Sequence, residues 1–351
     1  MRGWHRLALA GTLSLVAAPA AFAAPPLQQP ATAATAAGSN PREQALQSFQ
    51  RDLVSVLALR ATAQPLLGAA LLARPLPKQP KTNSFHALIS RAAATGDAGP
   101  AVQWARLADC DARADACPNA TALRKLLEQA PDNAAPWLLK LGLDTRDMKS
   151  DAARDDLARA AAAKSYDDYA GSSLSALAGV VDALPPPPAT QGASGAVGVQ
   201  ALIVLGNARL QPRPALPVAA KLCEDAGEDA AIKADCLKLG ELLEWGSSPL
   251  ARSLGLRLRE VLGDAAAQAD ARQQRRDLTW QVQNYSQLAL RAQDDPATAR
   301  QLLAAAKQGG TEMSQLTAVL RASGVSTTAP ASWQPATPDP AQAAPAPAHS
   351  P

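Results

Sequence analysis

Between residues 41 and 325, apolar side chains return every three or four positions in runs broken at roughly 15-residue intervals by Pro, Gly, Asn or Asp, a spacing of antiparallel helix pairs rather than of alternating strands and helices. Phe85, Leu88, Ile89 and Ala92 form one stripe behind Asn83, which is placed to cap it. Ile232, Cys236, Leu239 and Leu243 form another at i, i+4, i+7 and i+11, which turns Cys236 inward. The same pattern predicts helices near 43–61, 101–109, 119–129, 134–145, 150–163, 167–182, 215–225, 250–262, 265–292, 297–307 and 312–322. The predicted fold is all-α, made of stacked antiparallel helical hairpins.

The periodicity fails at both ends and once between. Residues 1–23 carry Arg2 and Arg6, an apolar run from Leu7 to Val16, and Ala21-Phe22-Ala23 before Ala24, the three parts of a cleavable export signal. Residues 24–40 are an Ala, Pro, Gln, Thr and Ser stretch expected to be a disordered leader, and 326–351, rich in Ala and Pro, a disordered tail in which only Trp333 hints otherwise. At 185–198 a run from Pro185 to Pro188 is followed by Gly192, Gly195 and Gly198. This reads as a loop linking a first helical half, 41–184, to a second, 199–325.

Composition sharpens the fold. The chain is rich in Ala and only 3% aromatic, which suits helices in close contact. The net charge is +3, and falls to +1 without Arg2 and Arg6, so no excess of basic charge points to nucleic acid. Arg272, Arg275 and Arg276, flanked by Asp270 and Asp277, read as a solvated helix face. No stretch reaches the roughly 20 apolar residues of a membrane span, so the chain is expected to be exported, to the periplasm in a two-membrane bacterium.

Four cysteines fit an oxidising destination and fall into two local pairs, Cys110 with Cys117 and Cys223 with Cys236. The first pair cannot bridge within one straight helix, because seven residues at about 1.5 Å rise exceed the Cα separation a disulfide permits. Asp111, Asp115 and Pro118 supply the break, with Pro118 suited to open the next helix. The second pair flanks a turn around Gly227. The rival four-thiolate zinc site wants ligands two to four residues apart, which these are not.

One stretch resembles a known family. Pro131-Asp132-Asn133-Ala134-Ala135-Pro136-Trp137, followed by Ala153, Leu157 and Ala160, is similar to a tetratricopeptide repeat, with small, large and small residues on its second helix. It departs from that pattern at Lys140 and Leu141, where a Leu-Gly pair is expected, and Gly142 comes one position late. The resemblance covers Pro131 to Ala163 and implies hairpin packing of the kind that serves as a scaffold for peptides and proteins.

The chemistry on offer is sparse. Of three histidines, His5 lies in the signal, His349 in the tail and His86 alone in the body, which leaves a catalytic triad one possible His and excludes two-histidine metal motifs. The glycine series follows prolines rather than a strand and lacks a phosphate-binding lysine. Asp167 and Asp168 are adjacent, so on a helix they diverge and suit its first turn. Glycoside cleavage on carboxylates alone remains open. Helical lytic transglycosylases, however, place Ser after their catalytic Glu, and none of Glu43, Glu128, Glu224, Glu228, Glu241, Glu244, Glu260 and Glu312 precedes a Ser.

Trp104, Trp137, Tyr166, Tyr169, Trp245, Trp280 and Tyr285 are spread over separate helices, as interface anchors or as fillers between small neighbours. Tyr166 and Tyr169, three apart after Ser165, together with Trp137 are the expected partner contacts. The expected function is a non-enzymatic scaffold binding protein or peptide in the cell envelope, without cofactor, metal or nucleic acid. A carboxylate-only envelope hydrolase and a purely structural role are the alternatives.

Overall fold

The computed structural model describes residues 40–110 and 117–335, and among these it contains fifteen α-helices and no β-strand. They are α1 (Pro41–Leu57), α2 (Ala63–Ala73), α3 (Phe85–Ala94), α4 (Pro100–Arg106), α5 (Ala120–Gln129), α6 (Ala134–Arg146), α7 (Ser150–Ala162), α8 (Ala170–Ala178), α9 (Gly195–Ala208), α10 (Leu216–Glu224), α11 (Ala230–Leu243), α12 (Pro249–Leu262), α13 (Ala265–Arg291), α14 (Pro296–Gln308) and α15 (Glu312–Ala322). The signal, nearly all of the leader, Asp111, Asp115 and the tail beyond residue 335 lie outside the described residues.

Start signals explain most boundaries. Asn40, Ser84, Asn119, Asn133, Asp229, Asp264, Asp295 and Thr311 each accept a hydrogen bond from a first-turn N–H, a contact worth about 1 kcal/mol per helix. Pro41, Pro100, Pro249 and Pro296 occupy the first helical position, where no N–H is needed. For α3 the cap is Ser84 rather than Asn83, which sits in a preceding 3-10 turn. Pro118 stands before the Asn119 cap of α5 rather than inside the helix.

Two helices have no counterpart in the periodicity. In α2 nine of eleven residues are buried, and α9 is apolar on nearly every side. A helix apolar on nearly every side shows no amphipathic stripe. Gly195 and Gly198, expected in a loop, instead open α9; Gly195, at φ 63°, makes the turn into it.

Successive helices pair as hairpins, among them α2/α3, α6/α7, α11/α12 and α14/α15, and the hairpins pack across one another as α2 on α8, α7 on α11 and α9 on α14. Between α11 and α12 the backbones nearly touch: a Cβ on Gly255 would lie 2.6 Å from the Leu243 carbonyl carbon and 2.8 Å from the Gly240 oxygen. On α7, Ala153, Leu157 and Ala160 are buried as the hairpin requires.

The interior forms two clusters. One gathers Phe49, Leu72, Leu88, Val204, Leu302 and Leu320; the other Trp104, Leu138, Leu157, Cys236, Leu239 and Leu258. Both take residues from before and after 185–198, so residues 40–335 pack as one body and that segment is a fastened connection within it. The Thr190 carbonyl accepts from Arg42 Nε at 3.1 Å, and Ser194 Oγ donates to the Gln293 carbonyl at 2.7 Å.

Both disulfides form, Cys110–Cys117 with Cα atoms 5.2 Å apart and Cys223–Cys236 at 5.7 Å. Among the described residues no helix is long and apolar enough to cross a membrane.

The first ten residues of the expected disordered tail are ordered against α13. Trp280 Nε1 donates to the Ser326 carbonyl at 2.8 Å and Gln281 Nε2 to that of Thr327 at 2.7 Å. Trp333 meets Trp280 edge to face with ring centroids 5.4 Å apart. Arg276, expected in a solvated face, binds the carbonyls of Pro330, Ala331 and Trp333, the last at 2.6 Å. Aromatic surface and a fork of donors outweigh the low apolar content of this strap.

Candidate functional site

Tyr166 and Tyr169 are not surface anchors. Residues 166–169 form a turn before α8 rather than its first turns, with Tyr169 at φ 55°, and both rings are buried, at 4% and 9% exposure. Tyr169 packs on the buried Trp104 with ring centroids 5.8 Å apart. Two small polar residues hold this turn. Asn133 Nδ2 donates to the Asp167 carbonyl at 2.7 Å and to the Tyr169 hydroxyl at 3.1 Å, while its Oδ1 accepts from the Asp167 N–H at 2.9 Å. Ser247 donates from its N–H to the Tyr166 carbonyl and from its hydroxyl to Asp168 Oδ1, and its own carbonyl accepts from the Met313 N–H at 2.9 Å. Trp137 lies elsewhere, half-buried under Arg159, whose guanidinium sits 4.8 Å from its ring centre, with its Nε1 donating to the Pro131 carbonyl. The three expected partner contacts therefore share no surface.

Above the turn lies a cleft of about 310 Å3 that the sequence reading did not assemble. Its walls come from α8, the end of α9, the 209–214 connection, the start of α12, the second half of α13 and the first turn of α15. Leu174, Leu205, Val282 and Leu316 line it with apolar surface, and Asp168, Gln211, Ser248, Tyr285 and Glu312 supply polar groups. Arg209 and Arg213 line it as well and are exposed.

Glu312 is the electrostatic centre. Burial raises its pKa to about 7 and the Asp168 charge adds to the rise, while Arg213 and Arg209 only partly oppose it. Its place in the first turn of α15 favours the anion, yet desolvation wins. Tyr285 is pushed to about 12 by burial and then by Glu312. Burial followed by Asp168 lifts Tyr166 well above its usual value, with the Ser248 hydroxyl pulling slightly back.

Two side chains on this cleft have polar atoms buried without a partner. Gln211 leaves both its amide nitrogen and oxygen unbonded, and Ser248, 3% exposed, makes no hydrogen bond of normal geometry through Oγ. Each such orphan costs about 1–3 kcal/mol unless something fills the site. Asp168, by contrast, is committed to the structure. Its Oδ1 accepts from Ser247 and the Ala170 N–H, and its Oδ2 from the Tyr166 hydroxyl.

The cleft opens into a second hollow of about 330 Å3 between α9 and α13, and the two share Leu205, Arg209, Ser286 and Ala289. Leu202 and Leu290 flank this hollow and Leu250 the cleft, with exposures of 42%, 65% and 51%. Three of the eight large apolar side chains exposed among the described residues thus collect along one groove.

A second group of buried charges sits on α6 and α7. Lys140 Nζ pairs with Asp144 at 2.6 Å and Asp156 at 2.9 Å, and Lys149 approaches Asp144 at 3.7 Å. Burial raises Asp156 to about 6 against the pull of Lys140. Asp144 ends below its usual value because hydrogen bonds from Lys140 and Asp156 outweigh its burial. His86, exposed, pairs with Asp109 at 2.8 Å through Nδ1. Among the described residues no three His, Cys, Asp or Glu side chains are grouped to hold a metal.

Neither a protein-family model, a curated protein nor a solved structure matches this chain. The groove's residues were individually visible in the sequence, with Tyr285 among the aromatics and Glu312 among the glutamates. No spacing links them, because they reach one cleft from helices far apart in the chain.

Proposed function

We propose that the chain is an exported, non-enzymatic helical-repeat protein of the cell envelope, periplasmic in a two-membrane bacterium, that binds peptide or protein partners in the groove between α9 and α13. The observation that carries this reading is exposed Leu202, Leu250 and Leu290 along a groove that also holds the unpartnered Gln211 amide. An apolar trough ending in unsatisfied donors and acceptors suits a peptide, which brings side chains for the first and amides for the second. Two disulfides and the signal-like segment support export. The tetratricopeptide-like hairpin α6/α7 supports a scaffold built of repeats.

The test is a photo-crosslinking amino acid placed at Leu290, and separately at Met148, which is 89% exposed but lies outside the groove. Crosslinks in the intact envelope are expected from Leu290 alone. Equal labelling from both positions, or none from Leu290, removes the groove as the binding surface.

A second reading, a carboxylate-only envelope hydrolase, is favoured by Asp168 and Glu312 lining one cleft. The commitment of both Asp168 oxygens to structural hydrogen bonds leaves Glu312 without a free partner for acid and base roles. Turnover of purified peptidoglycan that disappears in Glu312→Gln would establish this reading over binding.

A further inference from the structure

The groove's polar end has a charge pattern that selects among peptide segments. Its inner groups are Glu312, Asp168 and the Tyr285 hydroxyl, while the charges that face Glu312 from the 209–214 side are the exposed guanidiniums of Arg209 and Arg213. A half-buried carboxyl group whose only cations on the cleft are the exposed guanidiniums of Arg209 and Arg213 is complementary to an ammonium ion. On the same cleft, Gln211 offers one unbonded donor and one unbonded acceptor, which matches a peptide group. An ammonium ion directly next to a peptide group is found at the amino terminus of a chain. A lysine side chain instead places four carbons between its ammonium and its backbone.

We propose that the cleft captures the free amino terminus of a peptide, with the ammonium on Glu312 beside Asp168, the first peptide group on Gln211 and Ser248, and the following apolar side chains between Leu202 and Leu290. This rests on the peptide-binding reading above and adds which part of the peptide enters. Binding expels a proton: the empty site holds one on Glu312 at mildly acidic pH, and the incoming ammonium displaces it to solvent. Affinity therefore rises by up to about tenfold per pH unit from pH 5 toward 7, and falls again above about 8 as the peptide amine loses its own proton.

The experiment passes randomised hexapeptide pools over the immobilised full chain with its disulfides intact. One pool has free amino termini, a second is N-acetylated, and a third is N-acetylated with a lysine at its last position. At pH 7 the free-amine pool is expected to be retained at least about tenfold more than either other pool, a discrimination typical of one lost buried ionic contact. In Glu312→Gln its retention falls to the acetylated level and loses its rise between pH 5 and 7. Equal retention of free and acetylated pools overturns the amino-terminus assignment and leaves peptide binding standing. Recovery in the lysine pool overturns it in favour of any ammonium. Retention of no pool overturns peptide binding itself.

Discussion

The α6/α7 pair and the α9/α13 groove both bury carboxyl groups, and they resolve the cost in opposite ways. Asp156, 2% exposed, lies 2.9 Å from Lys140, which also holds Asp144, and Lys149 approaches Asp144 at 3.7 Å, so the two acids face two ammonium groups and the cluster is closed. Glu312 has no ammonium, its nearest cations are exposed arginines, and the Gln211 amide on the same cleft is left unbonded. A burial debt settled inside the fold marks structure. One left open beside a cavity marks a place where something else is meant to bind.

The contrast breaks most directly at Lys140. Removing it strands Asp156 and leaves Asp144 only Lys149 at 3.7 Å, and Lys140→Met is expected to lower unfolding stability in urea at pH 7 by about 3 kcal/mol. Pairing it with Asp156→Asn recovers part of that loss. A change below about 1 kcal/mol means the cluster is solvated and the comparison fails.

Glu312 behaves in the other direction. A carboxyl group whose folded pKa is raised binds its proton more tightly when folded, so its contribution is fully present below its unfolded pKa and is lost as pH rises from about 4.5 to 7. The loss amounts to about 2–3 kcal/mol, and Glu312→Gln is expected to abolish it while leaving stability at pH 4 unchanged. Asp156 titrates with the same sign through about 6 and cancels in the difference between the wild-type chain and Glu312→Gln, so over the pH 6 to 7 interval that difference reports Glu312. Chemical denaturation at half-unit pH steps reads the difference. An unchanged slope in the variant over that interval places Glu312 in solvent.

A smaller effect is expected at Gly171, where a Cβ would lie 2.7 Å from the Thr311 carbonyl carbon and 2.8 Å from the Glu312 nitrogen. Gly171→Ala forces α15 away from α8 and is expected to cost about 2 kcal/mol. Because the displaced atoms carry Glu312, its proton affinity falls as the cleft opens. Loss of stability with an unchanged pH slope would separate the packing from the charge.

Legibility in the sequence followed the same line between closed and open regions. The α11 stripe Ile232, Cys236, Leu239 and Leu243 is buried as its spacing requires, and the cysteines bridge in the two local pairs that their spacing predicts. Caps and prolines located α12 to α15 to within a residue or two. The illegible elements are α2 and α9, whose surfaces are apolar all round, and α9 is one wall of the groove. Tyr166 and Tyr169 looked like a helical pair because aromatic residues three apart share a face only if the backbone is helical, and there it turns at φ 55° instead. Asp168 and Glu312 are 144 positions apart, and their segments meet through the Ser247 bridge from the turn to the α15 start and the Gln315 bond to the Gly171 carbonyl, neither of which any spacing announces.

The least costly change lies at the strap. Trp333 is half-buried, touches Trp280 edge to face and lies 5.7 Å from Arg276, so Trp333→Ala is expected to cost about 1 kcal/mol. Its consequence is set by position along α13. The strap grips Arg276, Trp280 and Gln281, whereas the cleft and hollow use Val282 through Gln293, so the helix carries a fastened half and an open half. If α13 acts as a rigid wall, melting the strap leaves peptide retention in the groove unchanged at a temperature where the fold persists. If retention falls with the strap, the two halves are coupled, and the open region owes its shape to the closed one.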